Sequence, residues 1–100
     1  MVHRRDYPIF ITVNGISIRS VVIDSHYEIK HKESVDDKII LELVKLLDGK
    51  TYHCEAEKDG FKYFKTEPLV LGAATYRLIW LLEKNEIYIG VVNAFRRNNV

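Results

Sequence analysis

Residues 76–82 (YRLIWLL) and 87–95 (IYIGVVNAF) decide the fold of this 100-residue chain, because they are two apolar segments separated only by EKNE. Both segments are rich in β-branched and aromatic residues, which favour strands. The short polar connection predicts that they form an antiparallel β-hairpin, with Leu82 opposite Ile87 and Trp80 on the same face. Because both faces of this hairpin are largely apolar, we expect central strands that are covered on both sides.

A second hairpin is predicted near the N-terminus. Residues 9–19 read IFITV-NG-ISIR, and Asn14-Gly15 is a dipeptide typical of the two-residue type I′ turn. A two-residue loop pairs Val13 with Ile16 on one apolar face. The same register assigns the other face to Phe10, Thr12, Ser17 and Arg19, and residues 21–23 extend the second strand.

Residues 35–48 are predicted to form an amphipathic helix lying across the sheet. Ser34 is a candidate N-cap, and Asp37 three residues later gives the carboxylate form of a capping box. Gly49 is a typical helix stop. Apolar side chains recur at helical spacing, at Val35, Ile39, Ile40, Leu43, Val44, Leu46 and Leu47.

The remaining segments complete the predicted fold. Residues 51–56 and 61–66 have the pattern of strands around a turn at Asp59-Gly60, and residues 69–71 form a further short apolar segment after Pro68. We therefore expect one α+β domain over residues 1–100. It comprises an N-terminal β-hairpin, one main amphipathic helix and an antiparallel sheet of about four strands.

Composition narrows the class of protein. The chain is 47% apolar and 29% charged, which is typical of a globular domain and not of a disordered segment. Cys54 is the only cysteine, so no intramolecular disulfide can form, and a reducing compartment is expected. No apolar run reaches the roughly 20 residues of a membrane helix. The expected location is the cytoplasm, without membrane association.

Basic residues are clustered although the net charge is only +1. Pairs occur at Arg4-Arg5 and Arg96-Arg97, and residues 30–32 read KHK. These groups could build one basic patch, or the terminal pairs could be solvated tails. Arg77 lies within an apolar strand, where an unpaired charge is costly. It is either a structural arginine that reaches the sheet edge or part of an anion site.

The predicted register places Arg77 and Arg96 on a common face, with Arg97 on the opposite one. Metal sites are not indicated: His26 and His31 are five residues apart and do not form a local pair, and His53-Cys54 has no partner ligands at zinc spacing. There is no glycine-rich nucleotide loop. We expect neither a metal nor a cofactor.

The closing hairpin resembles a known superfamily. Residues 76–82, a short turn and residues 87–97 (IYIGVVNAFRR) look like the closing strands of RelE/ParE-like toxins. Residues 30–37 (KHKESVDD) are similar to the Lys-His segment before a helix in BrnT-like members, and an alternative alignment starts at Ser25-His26. The resemblance implies a RelE-like α+β fold and a metal-independent endoribonuclease toxin of a toxin–antitoxin pair.

The resemblance also implies roles for individual residues. RNA cleavage by 2′-hydroxyl attack on the neighbouring phosphate requires proton transfer and cations for the developing charge. Arg77 and Arg96 would stabilise that charge, and His26 or His31 would be the general acid or base. Contact with the RNA backbone is assigned to Lys30, Lys32 and Arg97.

The implied partners are RNA, either free or as ribosome-bound mRNA, and a cognate antitoxin. The antitoxin would cover the basic patch or insert a helix against the sheet. The alternative function is a non-catalytic protein-interaction module of the same fold.

Overall fold

The structure is a computed structural model that describes residues 4–24 and 35–97. Within these ranges the chain forms six strands and one helix. They are β1 (Arg4–Val13), β2 (Ile16–Asp24), α1 (Asp37–Lys45), β3 (Ala56–Lys58), β4 (Phe61–Leu71), β5 (Ala74–Glu83) and β6 (Tyr88–Arg97).

All six strands belong to one mixed sheet in the order β1-β2-β6-β5-β4-β3. Strands β2 and β6 are parallel, and every other neighbouring pair is antiparallel. The predicted RelE-like α+β class with about four antiparallel strands is wrong, since 63% of the described residues are in strands and only 11% are helical.

Two features of the chain account for this difference. The N-terminal hairpin is not a separate unit, because β2 pairs with β6 and so joins the main sheet. The apolar residues 69–71 continue β4 beyond a register shift between Thr66 and Leu69, and they do not form a further strand. The protein is therefore mostly β.

The predicted N-terminal hairpin is confirmed. Asn14 and Gly15 have φ values of 52° and 75°, as a type I′ turn requires, and Val13 pairs with Ile16. Phe10 on β1 is 76% exposed. The Arg19 guanidinium lies 5.3 Å from its ring centroid.

Helix α1 is shorter than predicted. Its N-cap is Asp36, whose side chain accepts a hydrogen bond from the Ile39 amide at 2.9 Å; the predicted cap Ser34 lies outside the described residues. After the last helical residue, the Asp48 carboxylate accepts from the Thr12 amide at 2.8 Å, and the Gly49 amide donates to the Thr12 carbonyl at 2.7 Å. The chain therefore leaves the helix to bind the edge of β1.

The hydrophobic core lies between α1 and one face of the sheet, here called the covered face. Trp80 is fully buried there; its ring stacks on Phe64 at 4.2 Å and meets Tyr52 edge-on at 5.4 Å. The opposite face is called the open face, because the described helix packs only on the covered face. Coverage of both faces was predicted, whereas Ile79 and Leu81 on the open face are only half-buried. Among the described residues, no helix has the length and apolarity needed to span a bilayer.

Candidate anion-binding site on the open face

The closing hairpin forms as predicted, but its register differs. Leu82 pairs with Ile89, two residues beyond the predicted partner Ile87, which is exposed outside the strand. A slip of two residues leaves every side chain on its predicted face. A second irregularity does change the faces. Trp80 pairs with Val91, whereas the adjacent Ile79 pairs with Asn93. Strand β6 thus contains one extra residue at this point, which is a β-bulge.

The bulge exchanges the faces of the residues that follow it. Arg77 lies opposite Phe95, and Arg97 lies opposite Thr75, whereas Arg96 pairs with Tyr76. Tyr76 is buried on the covered face, so Arg96 projects from that side. The prediction that Arg77 and Arg96 share a face and that Arg97 is excluded is therefore wrong, and Arg77 and Arg97 are the pair on the open face.

These two arginines converge on one carboxylate. Arg77 donates from Nε and Nη2 to the two oxygens of Glu67, the second bond measuring 3.1 Å, and Nη1 of Arg97 donates to Oε1 of the same carboxylate. Glu67 lies in the register shift of β4, directly before Pro68. Two positive groups are balanced by one negative group, so the cluster Arg77–Glu67–Arg97 carries a net charge of +1.

Neighbouring side chains hold this cluster in place and leave space beside it. The Arg77 guanidinium lies 5.0 Å from the Phe95 ring centroid, a distance at which the ring face attracts the cation. Glu67, Pro68, Thr75 and Arg97 line a cavity of about 250 Å³ beside the cluster.

The cluster is accessible enough to bind a solute anion. The side chains of Arg77 and Glu67 are 28% and 26% exposed, and that of Arg97 is 43% exposed. Only one N–H of Arg97 donates to Glu67, which leaves its remaining donors for other acceptors. A guanidinium fork of this kind binds phosphate in a bidentate manner. The arrangement can therefore hold an anion on the outer side of Arg97.

Arg5, in the N-terminal arginine pair, is not simply part of a solvated tail. Nε and Nη2 of Arg5 donate to the Asp37 carboxylate at 2.5 and 2.7 Å, and the Tyr7 hydroxyl donates to the same carboxylate at 2.5 Å. The hydrogen bond to Asp37 is the main reason that the pKa of Tyr7 is raised. These contacts tie β1 to the start of α1, so Arg5 is a structural residue.

Four predicted site residues lie outside the described residues: His26, His31, Lys30 and Lys32. The proton-transfer role of the histidines and the RNA-backbone contacts of the lysines therefore stay predictions. Cys54 is exposed, and its thiol is 3.0 Å from the Ala56 carbonyl oxygen. In residues 4–24 and 35–97, no group of three or more His, Cys, Asp or Glu is placed to hold a metal ion.

No family model, curated protein or solved structure matches this chain.

Sequence reasoning missed Glu67 and the bulge for identifiable reasons. Residues 89–92 read IGVV, so no alternation of polar and apolar side chains shows where the strand changes phase. Glu67 lies just after the predicted strand 61–66 and directly before Pro68, and the polar residues Lys65 and Thr66 precede it. No sequence pattern therefore marked it as the partner of an arginine on another strand.

Proposed function

We propose that this protein binds RNA and that Arg77 and Arg97 contact its phosphates from the open face. The observation that supports the proposal most is that two guanidinium groups share the single carboxylate of Glu67 at an accessible place. The two guanidinium groups carry one positive charge more than the Glu67 carboxylate neutralises. A phosphate bound to the cluster would therefore find a positive charge to pair with. Electrostatic contact with phosphates supplies most of the affinity of such interactions.

The resemblance to RelE/ParE-like toxins extends this proposal to RNA cleavage. In that mechanism a ribose 2′-hydroxyl attacks the adjacent phosphate, and His26 or His31 accepts or donates the proton. Arg77 would stabilise the developing phosphorane charge. Arg97 replaces Arg96 as its partner in this proposal, because Arg97 is the residue on the same face. Lys30 and Lys32 remain candidate backbone contacts, and a cognate antitoxin would neutralise the toxin by covering the open face.

One observation favours a second candidate, a non-catalytic protein-interaction module. The open face presents the half-buried apolar side chains Ile79 and Leu81, and a protein partner could bury them. In that case the partner would bind this face, and the arginine cluster would form part of the polar rim of an interface.

Expression of the wild-type chain, with total RNA examined during induction, separates the two candidates. If the protein is an RNA-cleaving toxin, its expression should arrest growth and degrade RNA. The purified protein should also bind a labelled single-stranded RNA. An Arg97→Gln variant should relieve these effects while remaining folded, since the Arg77–Glu67 pair is left intact. High expression of the wild type without growth arrest, without RNA degradation and without measurable RNA binding would contradict the proposal and favour the interaction module.

A further inference from the structure

Strand β4 carries two aromatic side chains on the open face. Phe64 and its cross-strand partner Trp80 are buried on the covered face, so the alternate residues Phe61, Tyr63 and Lys65 point to the other side. Tyr63 pairs with the half-buried Leu81 on the next strand.

The two rings form a local pair. The centroids of Phe61 and Tyr63 are 6.4 Å apart, and the ring planes are tilted by 51°. Both side chains are half-buried, so each is held in position while part of its surface faces solvent. Residues two apart on a strand are separated by roughly 6.5–7 Å, and an extended nucleic acid strand running along β4 can therefore place successive bases against the two rings.

Cations flank the aromatic pair at both ends. Lys58 on β3 pairs with Phe61, Lys65 follows Tyr63 along β4, and both lysines are exposed. The residue opposite Phe61 on β5 is the acid Glu83, whose carboxylate accepts a hydrogen bond from the Tyr88 hydroxyl. Two residues beyond Lys65, β4 reaches Glu67 and the two arginines. Aromatic rings with lysines on either side, leading to an arginine cluster, are complementary to a chain of bases joined by phosphates.

We propose that Phe61 and Tyr63 are a stacking site for unpaired bases of single-stranded RNA, with the backbone passing Lys58 and Lys65 towards Arg77 and Arg97. This inference rests on the proposed RNA-binding function and names the form of RNA that is bound. Bases in a duplex are stacked on one another and cannot present their faces to the rings, so double-stranded RNA does not fit this site.

The test uses fluorescence anisotropy of the full chain with labelled oligouridine of about 12 nucleotides, within the usual site size of small single-strand-binding folds. Phe61→Leu and Tyr63→Leu keep apolar side chains but remove the ring faces. Phe10→Leu is the matched control, because Phe10 is an exposed aromatic residue on the opposite edge of the sheet, beside Arg19. Circular dichroism establishes that each variant is folded.

Phe61→Leu and Tyr63→Leu should each raise the Kd for oligouridine by roughly 5- to 100-fold, the range expected from the loss of one stacked base. Phe10→Leu should bind like the wild type. An abasic RNA of equal length retains the phosphates, so it should bind more weakly than oligouridine and be insensitive to the two ring substitutions. Duplex RNA should also bind more weakly.

Two results would overturn the inference in distinguishable ways. If oligouridine binds and depends on Arg97 but not on Phe61 or Tyr63, the stacking site is wrong and the RNA-binding function stands. If neither oligouridine nor abasic RNA binds the wild type, both proposals are wrong.

Discussion

Arg77 and Arg96 lie on opposite faces of the sheet, although both are in the central hairpin. Arg77 is opposite Phe95 on the open face, and Arg96 is opposite Tyr76 on the covered face. The extra residue in β6 at the bulge causes this separation. It also brings Arg97 to the face of Arg77, where both bind Glu67. The bulge therefore determines which arginines can act together on one anion.

Glu67 should limit the affinity of the cluster for RNA, because its carboxylate offsets one of the two guanidinium charges. Glu67→Gln removes that charge and should lower the Kd for single-stranded RNA about three- to tenfold at low salt, as expected for one charge near the surface. Glu57→Gln is the control, since Glu57 is an exposed acid on β3 and the change in net charge is the same. A weaker affinity in Glu67→Gln would show that Glu67 orients the arginines for RNA and does not compete with it.

Trp80 should be the most important single side chain for stability. It is fully buried, stacks on Phe64 and contacts the edge of Tyr52. Its indole N–H also donates to the Thr66 hydroxyl at 3.0 Å. Trp80→Ala should lower the free energy of unfolding by about 3–5 kcal/mol, measured by urea denaturation. Ile79→Ala, one residue away on the open face, should cost clearly less, and an equal loss would contradict the assignment of the core to the covered face.

Stability should fall in alkaline solution because of Tyr7. Its pKa is raised above the ordinary value of about 10 by the hydrogen bond to Asp37. The folded state therefore keeps the phenol proton at a pH where the unfolded chain loses it, so this stabilising contribution is present below about pH 10 and is lost as pH rises through the folded-state pKa. The pKa of Tyr52 is raised in the same direction by burial.

The corresponding measurement is the free energy of unfolding between about pH 8 and 11.5. Above pH 10, the free energy of unfolding of Tyr7→Phe should decline less steeply than that of the wild type. The double variant Tyr7→Phe/Tyr52→Phe should show a still smaller decline. Identical slopes in all three proteins would mean that neither phenol has a raised pKa in the folded state.

The sequence predictions were accurate where the residues themselves indicate which side chains share a face of a strand. In the N-terminal hairpin, Asn14-Gly15 has two residues that readily adopt positive φ, and the turn type sets the pairing of Val13 with Ile16. In the closing hairpin, the connection tolerates more than one register. The apolar residues 89–92 contain no polar marker of the bulge, so the predicted arginine pair was wrong. The parallel pairing of β2 with β6 joins segments far apart in the chain, and no local pattern indicated it.

The helix illustrates the same limit. The apolar repeat predicted a helix in the correct place, and Ile40, Leu43 and Val44 are buried as expected. Its end was predicted too late, because the repeat continues through Leu47. The helix ends early through the hydrogen bonds that join residues 48 and 49 to β1, and such a tertiary contact cannot be read from helical periodicity.

The most direct test of the central claim is the salt dependence of RNA binding in Arg97→Gln and Arg96→Gln. The two substitutions remove the same charge from adjacent residues on opposite faces of β6. Arg97→Gln should weaken binding of single-stranded RNA about tenfold. It should also reduce the magnitude of the slope of log K against log salt by about 1, as expected for the loss of one phosphate contact, whereas Arg96→Gln should leave the affinity and the slope nearly unchanged. Equal effects of the two variants, or a larger effect of Arg96→Gln, would contradict the assignment of RNA binding to the open face.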